Sequence, residues 1–278
     1  MSYFCDRYYK SIKDATVNSV LDIDLILLTQ CNQRCSYCFM HSNPRNHDYV
    51  NDDVLNALAK KIVEYKKPVD LTLLGGEPTI HPKLKEIIDR FSHVPNIRNM
   101  DIHTNGRKSL KNILNKRLTI VFSIHPEYSR YIETIIKHIR EVQGETRFKV
   151  KVLYHPFFKN QIAFLEKKLS ECGIPFRRDV IHGFRDEEQD FDTNDMFNVN
   201  GELMPLKYII DNNLDRFKNW MCLNHCLRVN ADGSIFEVCN NKHKNILDKN
   251  YKLEKTLILC AKDKCVCSWA LHTLKVTT

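Results

Sequence analysis

The chain has 278 residues, 43% hydrophobic and 27% charged, an ordinary globular balance that excludes a disordered or fibrous protein. Met1 to Val20 scatters Asp6, Arg7, Lys10, Lys13 and Asp14 and so holds no apolar signal core. The best apolar run, Leu25 to Leu28, is far too short to span a bilayer, so the expectation is a cytoplasmic protein with no membrane partner. The formal charge of +8 admits an anionic partner such as RNA, but the lysines are interspersed with acids, so nucleic acid is not the favoured partner. Eleven cysteines without an export signal point to metal ligation rather than a disulfide framework.

From Asp22 onward short apolar runs alternate with amphipathic stretches, which predicts an α/β domain of repeated strand–helix units. Strands are predicted at Ile23–Thr29, Asp70–Leu74, Asn99–His103, Thr119–Ile124, Lys149–Leu153 and Phe176–Ile181. Between them lie the helical patterns Val54, Leu55, Leu58, Ile62; Leu84, Ile87, Ile88, Phe91; Leu110, Ile113, Leu114; Ile132, Ile135, Ile136, Ile139; and Leu165, Leu169, Cys172. Asn51 and Asp52 supply a helix start, and Pro82 suits a first helical turn. Six such units fit a partial parallel (β/α)6 barrel, in which chemistry gathers at the carboxyl ends of the strands. Residues 186–195 form an acidic connector, and a boundary is expected there: a barrel domain over 1–197 and a small cysteine-rich β-hairpin and helix extension over 198–278.

Cys31, Cys35 and Cys38 stand three and then two residues apart, just past the first predicted strand, and Gly75-Gly76-Glu77-Pro78 follows the second. A cubane iron–sulfur cluster normally takes four thiolates, so three on one loop leave a fourth iron for a ligand that is not protein. A zinc knot completed by His41 or His47 is the bland alternative. The triplet, with Tyr37 before its last cysteine, and the Gly-Gly-Glu-Pro turn together resemble the radical S-adenosylmethionine (SAM) family. The resemblance implies a SAM-binding 4Fe-4S cluster on Cys31, Cys35 and Cys38 whose open iron is chelated by SAM, and a 5'-deoxyadenosyl radical formed by reductive cleavage. It also implies that Tyr37 lies near the adenine, that Gly75 and Gly76 let backbone approach the methionine portion, and that Glu77 binds the ammonium. Thr104, Asn105, Ser123 and His125 fall where relatives contact SAM or substrate, although polar residues at strand ends are also ordinary loop formers. Tyr154, His155, Arg177 and His182 are weaker candidates for substrate contact, while Cys5 and Cys172 read as packing.

Cys222, Cys226, Cys239, Cys260, Cys265 and Cys267 crowd the last 57 residues, and Leu227 to Val238 reads as a hairpin with Asp232-Gly233 at its turn. The arrangement is similar to the SPASM and Twitch extensions of radical SAM enzymes, although the tail cysteines are fewer and differently spaced. It implies one auxiliary 4Fe-4S cluster on Cys222, Cys226, Cys239 and one tail cysteine. A four-thiolate zinc site on the same hairpin is the alternative.

The resemblance implies a radical SAM enzyme that abstracts hydrogen from a small-molecule or peptide substrate. Its auxiliary cluster would aid oxidation or substrate binding, and an electron donor such as flavodoxin or ferredoxin would serve it. The stretch before the first strand is too short for a leader-peptide-binding domain, which tilts the expectation toward a small or tethered substrate. An RNA-modifying enzyme and a non-catalytic zinc protein that binds nucleic acid are the competing functions. The second leaves the Gly-Gly-Glu-Pro turn unexplained.

Overall fold

The computed structural model describes residues 20–38, 40–181, 196–199, 202–205, 212, 218–224, 226–237, 240–260 and 275–277. Cys5, His182, the acidic connector, Cys239, Cys265 and Cys267 lie outside the described residues. All six predicted barrel strands are present: β1 (Leu21–Ile26), β2 (Val69–Leu74), β3 (Ile97–Thr104), β4 (Leu118–Ile124), β5 (Arg147–Tyr154) and β6 (Arg177–Val180). They pair in chain order, each parallel to the next, so every connection is a crossover and every strand's carboxyl end lies on one rim.

Four α-helices make crossovers: α1 (Asp52–Tyr65), α2 (Leu84–Ser92), α3 (Ile132–Val142) and α4 (Lys159–Glu171). Asn51 caps α1 as predicted, its side chain accepting from Val54 N at 2.9 Å. Two helical expectations are corrected. Pro82 stays outside α2, which starts at Leu84. The Leu110, Ile113, Leu114 pattern forms only a 3₁₀ turn, Lys111–Ile113, because turns at Asn105–Arg107 and Asn115–Leu118 take up the link on both sides of it.

The sheet divides two kinds of chemistry. Alternate residues Leu21, Ile23, Leu25, Leu71, Leu73, Met100, Ile102, Ile120, Phe122, Val150 and Val152 are buried in one core with Leu58, Ile62, Ile87, Phe91, Ile135, Ile139 and Leu165 of the helices. The residues between them point the other way, and this second face is polar. A cavity of about 690 Å³ runs along it, lined by Asp22, Asp70, Thr72, Asn99, Asp101, Thr119 and Lys149 among others. This concave side is the lumen of the partial barrel.

The hairpin expected over Leu227–Val238 is β10 (Cys226–Val229) and β11 (Ser234–Glu237), with Asp232 and Gly233 at its turn, and β12 (Asn240–Asn245) follows β11. β10 also pairs in parallel with β1, so the sheet of nine strands runs β12-β11-β10-β1-β2-β3-β4-β5-β6. Buried Lys61 of α1 ties this segment down, its ammonium donating to Asp248 O at 2.8 Å and Tyr251 O at 2.5 Å. The strands β7 (Met196–Val199) and β8 (Glu202–Pro205) form a separate pair. A small antiparallel sheet sets β9 (Trp220–Asn224) between β13 (Thr256–Leu259) and β14 (Lys275–Thr277). Among the described residues no helix is long and apolar enough to cross a membrane.

Candidate active site

The Cys31–Cys38 loop leaves the carboxyl end of β1 and is braced from two sides. Asn105 Nδ2 donates to Asn32 Oδ1 at 2.7 Å and the Arg107 guanidinium to Asn32 O at 2.7 Å. Arg34 N donates to the Tyr128 hydroxyl at 2.7 Å, and the Ser36 amide and hydroxyl donate to the Glu127 carboxylate at 2.9 and 2.5 Å. Arg107, Tyr128 and Glu127 come from loops after β3 and β4, so a loop without regular structure takes its shape from two neighbouring crossovers.

On this frame the three cysteines fall within electrostatic reach of one another. Burial pushes the Cys31 thiol up to about 11, with Glu77 and Cys38 adding to the rise, and burial raises Cys35 further, helped by Cys31, Glu127 and Cys38. Thiolates form in such a place when a cation compensates them. Among the described residues no three His, Cys, Asp or Glu close round a single metal ion. A cubane takes one thiolate per iron, so three thiols on one loop are the donor set that holds three irons and leaves the fourth open. Tyr37 is buried beside them, stacked on the His125 ring at 5.9 Å, with its hydroxyl 3.1 Å from His125 Nδ1. The same Nδ1 lies 3.3 Å from Cys35 Sγ, and burial lowers the imidazole to about 4, so His125 is neutral.

The Gly-Gly-Glu-Pro turn packs against the root of this loop. Gly76 N donates to Leu28 O at 2.9 Å and Glu77 N to Gln30 O at 2.9 Å. A Cβ on Gly76 would stand 2.1 Å from Gln30 O, and Gly75 adopts φ +147° with Leu28 O 2.5 Å from where its Cβ would be. The two glycines therefore let the turn close onto β1's extension, a purpose distinct from the approach of a ligand. Glu77 is 1% exposed, and its carboxylate faces protein donors. Oε1 accepts from Thr79 N at 3.1 Å, Thr79 Oγ1 at 2.6 Å and Thr104 Oγ1 at 2.7 Å; Oε2 accepts from Asn105 N at 2.7 Å. One side chain thus joins the ends of β2 and β3, and only Oε2 retains acceptor capacity for an ammonium. Thr104 and Asn105 are correspondingly engaged in holding Glu77 and the cysteine loop.

Ser123 is half-buried on the lumen face, level with Lys151 of β5 and Arg177 of β6. Tyr154 is buried under the Arg178 guanidinium, 5.0 Å from its ring. His155 is fully buried and accepts from Phe157 N at 3.2 Å, which caps the turn before α4. Of the second cysteine set, Cys222 lies in β9, Cys260 follows β13 and donates its amide to Trp220 O at 2.9 Å, and Cys226 opens β10 level with Asp22. Because Asp22 lines the lumen, its register partner Cys226 faces the same side, at the end of the barrel opposite the Cys31–Cys38 loop. The described cysteines are thiols, without a disulfide. Asp24, which the motifs did not single out, is buried on the lumen face just below the rim; its signal was the Leu-Asp-Ile-Asp-Leu alternation of β1.

The parallel partial barrel carries its three-thiol loop on the carboxyl rim, as the resemblance drawn from the sequence implied. Residues 25–125 match the model of the Radical SAM superfamily. It is similar to GTP 3',8-cyclase of Aquifex aeolicus, 30% identical over 180 residues that make up 54% of this chain and 53% of the relative, so the chain spans about half that relative's length. L-lysine 2,3-aminomutase of Buchnera aphidicola is 24% identical over 132 residues, 47% of this chain and 38% of the relative. Two solved structures share the fold. Native anSMEcpe with bound AdoMet and Cp18Cys peptide has a TM-score of 0.56 and 16% identity, covering 82% of this chain and 78% of that one. Streptococcus suis SuiB bound to precursor peptide SuiA has a TM-score of 0.58 and 17% identity, covering 83% and 63%.

Proposed function

We propose that the chain reductively cleaves SAM on a 4Fe-4S cluster held by Cys31, Cys35 and Cys38, and directs the resulting radical at a substrate in the lumen. The observation that carries this reading is the placement of three thiols on one braced loop over the mouth of a polar lumen. Bound together, the cluster and SAM supply a 5'-deoxyadenosyl radical able to take hydrogen from an unactivated carbon. The chain's own residues orient and shield: Tyr37 and His125 offer a stacked aromatic wall beside the thiols, Glu77 fixes the spacing of the β2 and β3 ends, and the lumen walls keep other hydrogen donors from the radical.

The second part of the proposal concerns Cys222, Cys226 and Cys239, completed by one of Cys260, Cys265 and Cys267, as ligands of an auxiliary 4Fe-4S cluster. Its support is the position of Cys226 on the lumen side, with the polar cavity between it and the rim. A substrate between the two cysteine sets would meet the radical from one side and an electron acceptor from the other. The similar proteins divide between small-molecule and peptide chemistry by name, GTP on one hand and Cp18Cys peptide and SuiA on the other. A cytoplasmic setting with a flavodoxin- or ferredoxin-type donor fits the reductive step.

Anaerobic reconstitution followed by dithionite and SAM tests the reading. The expected products are 5'-deoxyadenosine and methionine, and stoichiometric zinc with intact SAM would overturn it.

A further inference from the structure

Asp22 and Asp24 stand two residues apart on β1, while Leu21, Ile23 and Leu25 between and around them are buried against the helices, so both carboxylates project toward the lumen. Asp22 lines the deep cavity; Asp24 is the next step toward the rim, level with Thr72 of β2 and Arg228 of β10. Other carboxylates along this face have partners. Asp70 accepts from Asn99 at 3.1 Å and from the Arg98 guanidinium, Asp101 from Lys149 at 3.2 Å, and Asp179 pairs with Lys151 at 2.8 Å. Asp24 is only 6% exposed, yet its Oδ2 has no hydrogen-bond partner. A buried carboxylate oxygen without a donor is costly, and native proteins keep one where something further completes it.

We propose that Asp24 anchors a protonated amino group of the substrate in the lumen, beneath the Cys31–Cys38 loop, and that the substrate is a small amine. An ammonium brings the N–H donors that Oδ2 lacks and adds to the positive charge that Arg228 already sets near it, whereas a hydroxyl brings one donor and no charge. Lys149 and Lys151 on the β5 wall are already paired with Asp101 and Asp179, so a molecule with one cationic end and a neutral remainder suits the two sides together. A cavity of about 690 Å³ accommodates a ligand of that size. The proposal rests on the SAM-cleaving reading for the reason a substrate enters the lumen, but its test reads binding alone.

The test is a saturation-transfer NMR titration of the whole chain, reconstituted and loaded with SAM, using cyclohexylamine and its neutral counterpart cyclohexanol as probes. The amine is expected to bind at least tenfold more tightly than the alcohol, and Asp24→Asn to abolish that preference while SAM affinity stays within twofold. Equal affinity of the two probes overturns the proposal, as does an Asp24→Asn protein that keeps the preference, which would leave Asp24 as a tether for Arg228 and β10. A parallel loss of SAM affinity also overturns it, by assigning Asp24 to SAM's own amino group. If Asp24→Asn does not fold, Thr72→Leu, which fills the space level with Asp24, decides: a tenfold loss of amine binding supports the site and an unchanged affinity refutes it. Failure of the SAM reading would appear separately, as intact SAM after dithionite with the amine preference preserved.

Discussion

At the rim, Glu77 is buried with four hydrogen bonds on its carboxylate, and each bond reaches a different atom of the surrounding loops. In the lumen, Asp24 is nearly as buried and leaves one oxygen with none. Both carboxylates sit near the carboxyl end of the same sheet, and burial raises the pKa of both. The difference lies in what completes them. The Glu77 carboxylate at the rim is satisfied by the protein itself, which makes it a fixed strut for the cysteine loop. That of Asp24 in the lumen is satisfied in part, which leaves binding energy for something that enters.

The sharpest way to break this comparison is to remove the chemistry the rim supports. Triple Ala substitution of Cys31, Cys35 and Cys38 is expected to abolish SAM cleavage and to lower iron from about eight to about four atoms per chain, since Cys222 and Cys226 of the second set stand on other strands. The reverse substitution of Cys222, Cys226 and Cys239 is expected to keep about four irons and SAM cleavage uncoupled from product. Iron assay with 5'-deoxyadenosine quantification reads both, and circular dichroism verifies that each variant folds. A first triple variant that lost all its iron would show the two sets to be one assembly.

Smaller effects separate frame from ligand at the rim. Glu77→Ala leaves the amides of Thr79 and Asn105 and the hydroxyl of Thr104 without their acceptor in a buried site, and is expected to cost about 3 kcal/mol in urea unfolding of the apo chain. Unaltered stability with weakened SAM binding would make Glu77 a ligand for SAM's ammonium instead. Gly76→Ala is expected to cost about 2 kcal/mol by overpacking, because its Cβ would meet a backbone carbonyl that β1's extension holds in place. A neutral result in the same assay would show that the turn can lift off Gln30.

What could be read in the sequence follows the range of the interactions. The cysteine triplet is local, so its spacing alone declared it, and the six strands announced themselves by alternation against helical periodicity. The partners of Glu77 were invisible because Thr104 and Asn105 meet it only once β2 and β3 are paired. The failed helix near Leu110 had the right apolar spacing, but turns closed by Asn105 and Asn115 on either side leave it one turn. For Asp24, the alternation of β1 showed that two carboxylates share a face. Which face is the lumen depends on the helices packing against the other, a tertiary fact that no window of β1 contains. Likewise, the parallel pairing of β10 with β1, which turns Cys226 toward the lumen, joins segments some two hundred residues apart.

The gentlest test acts on Asp24 through pH. Burial lifts its carboxyl to about 6 from the ordinary 3.8, opposed by Arg228 and Lys151 and reinforced by Asp22. Between these values the folded protein holds a proton that the unfolded chain has released, so this group's contribution to stability falls as pH rises and the full penalty is present above about 6. Asp24→Asn carries no such penalty. Relative to wild type it is expected to gain stability on going from pH 4 to pH 8, by about 2 kcal/mol, as read by urea unfolding at both values. A difference that does not change with pH would mean that the carboxyl titrates normally and that Arg228 already completes it. Saturating cyclohexylamine at pH 8 adds the decisive contrast with the rim: it should stabilise wild type and leave Asp24→Asn unmoved, narrowing the gap from the lumen side, because a ligand stabilises only the folded form that binds it.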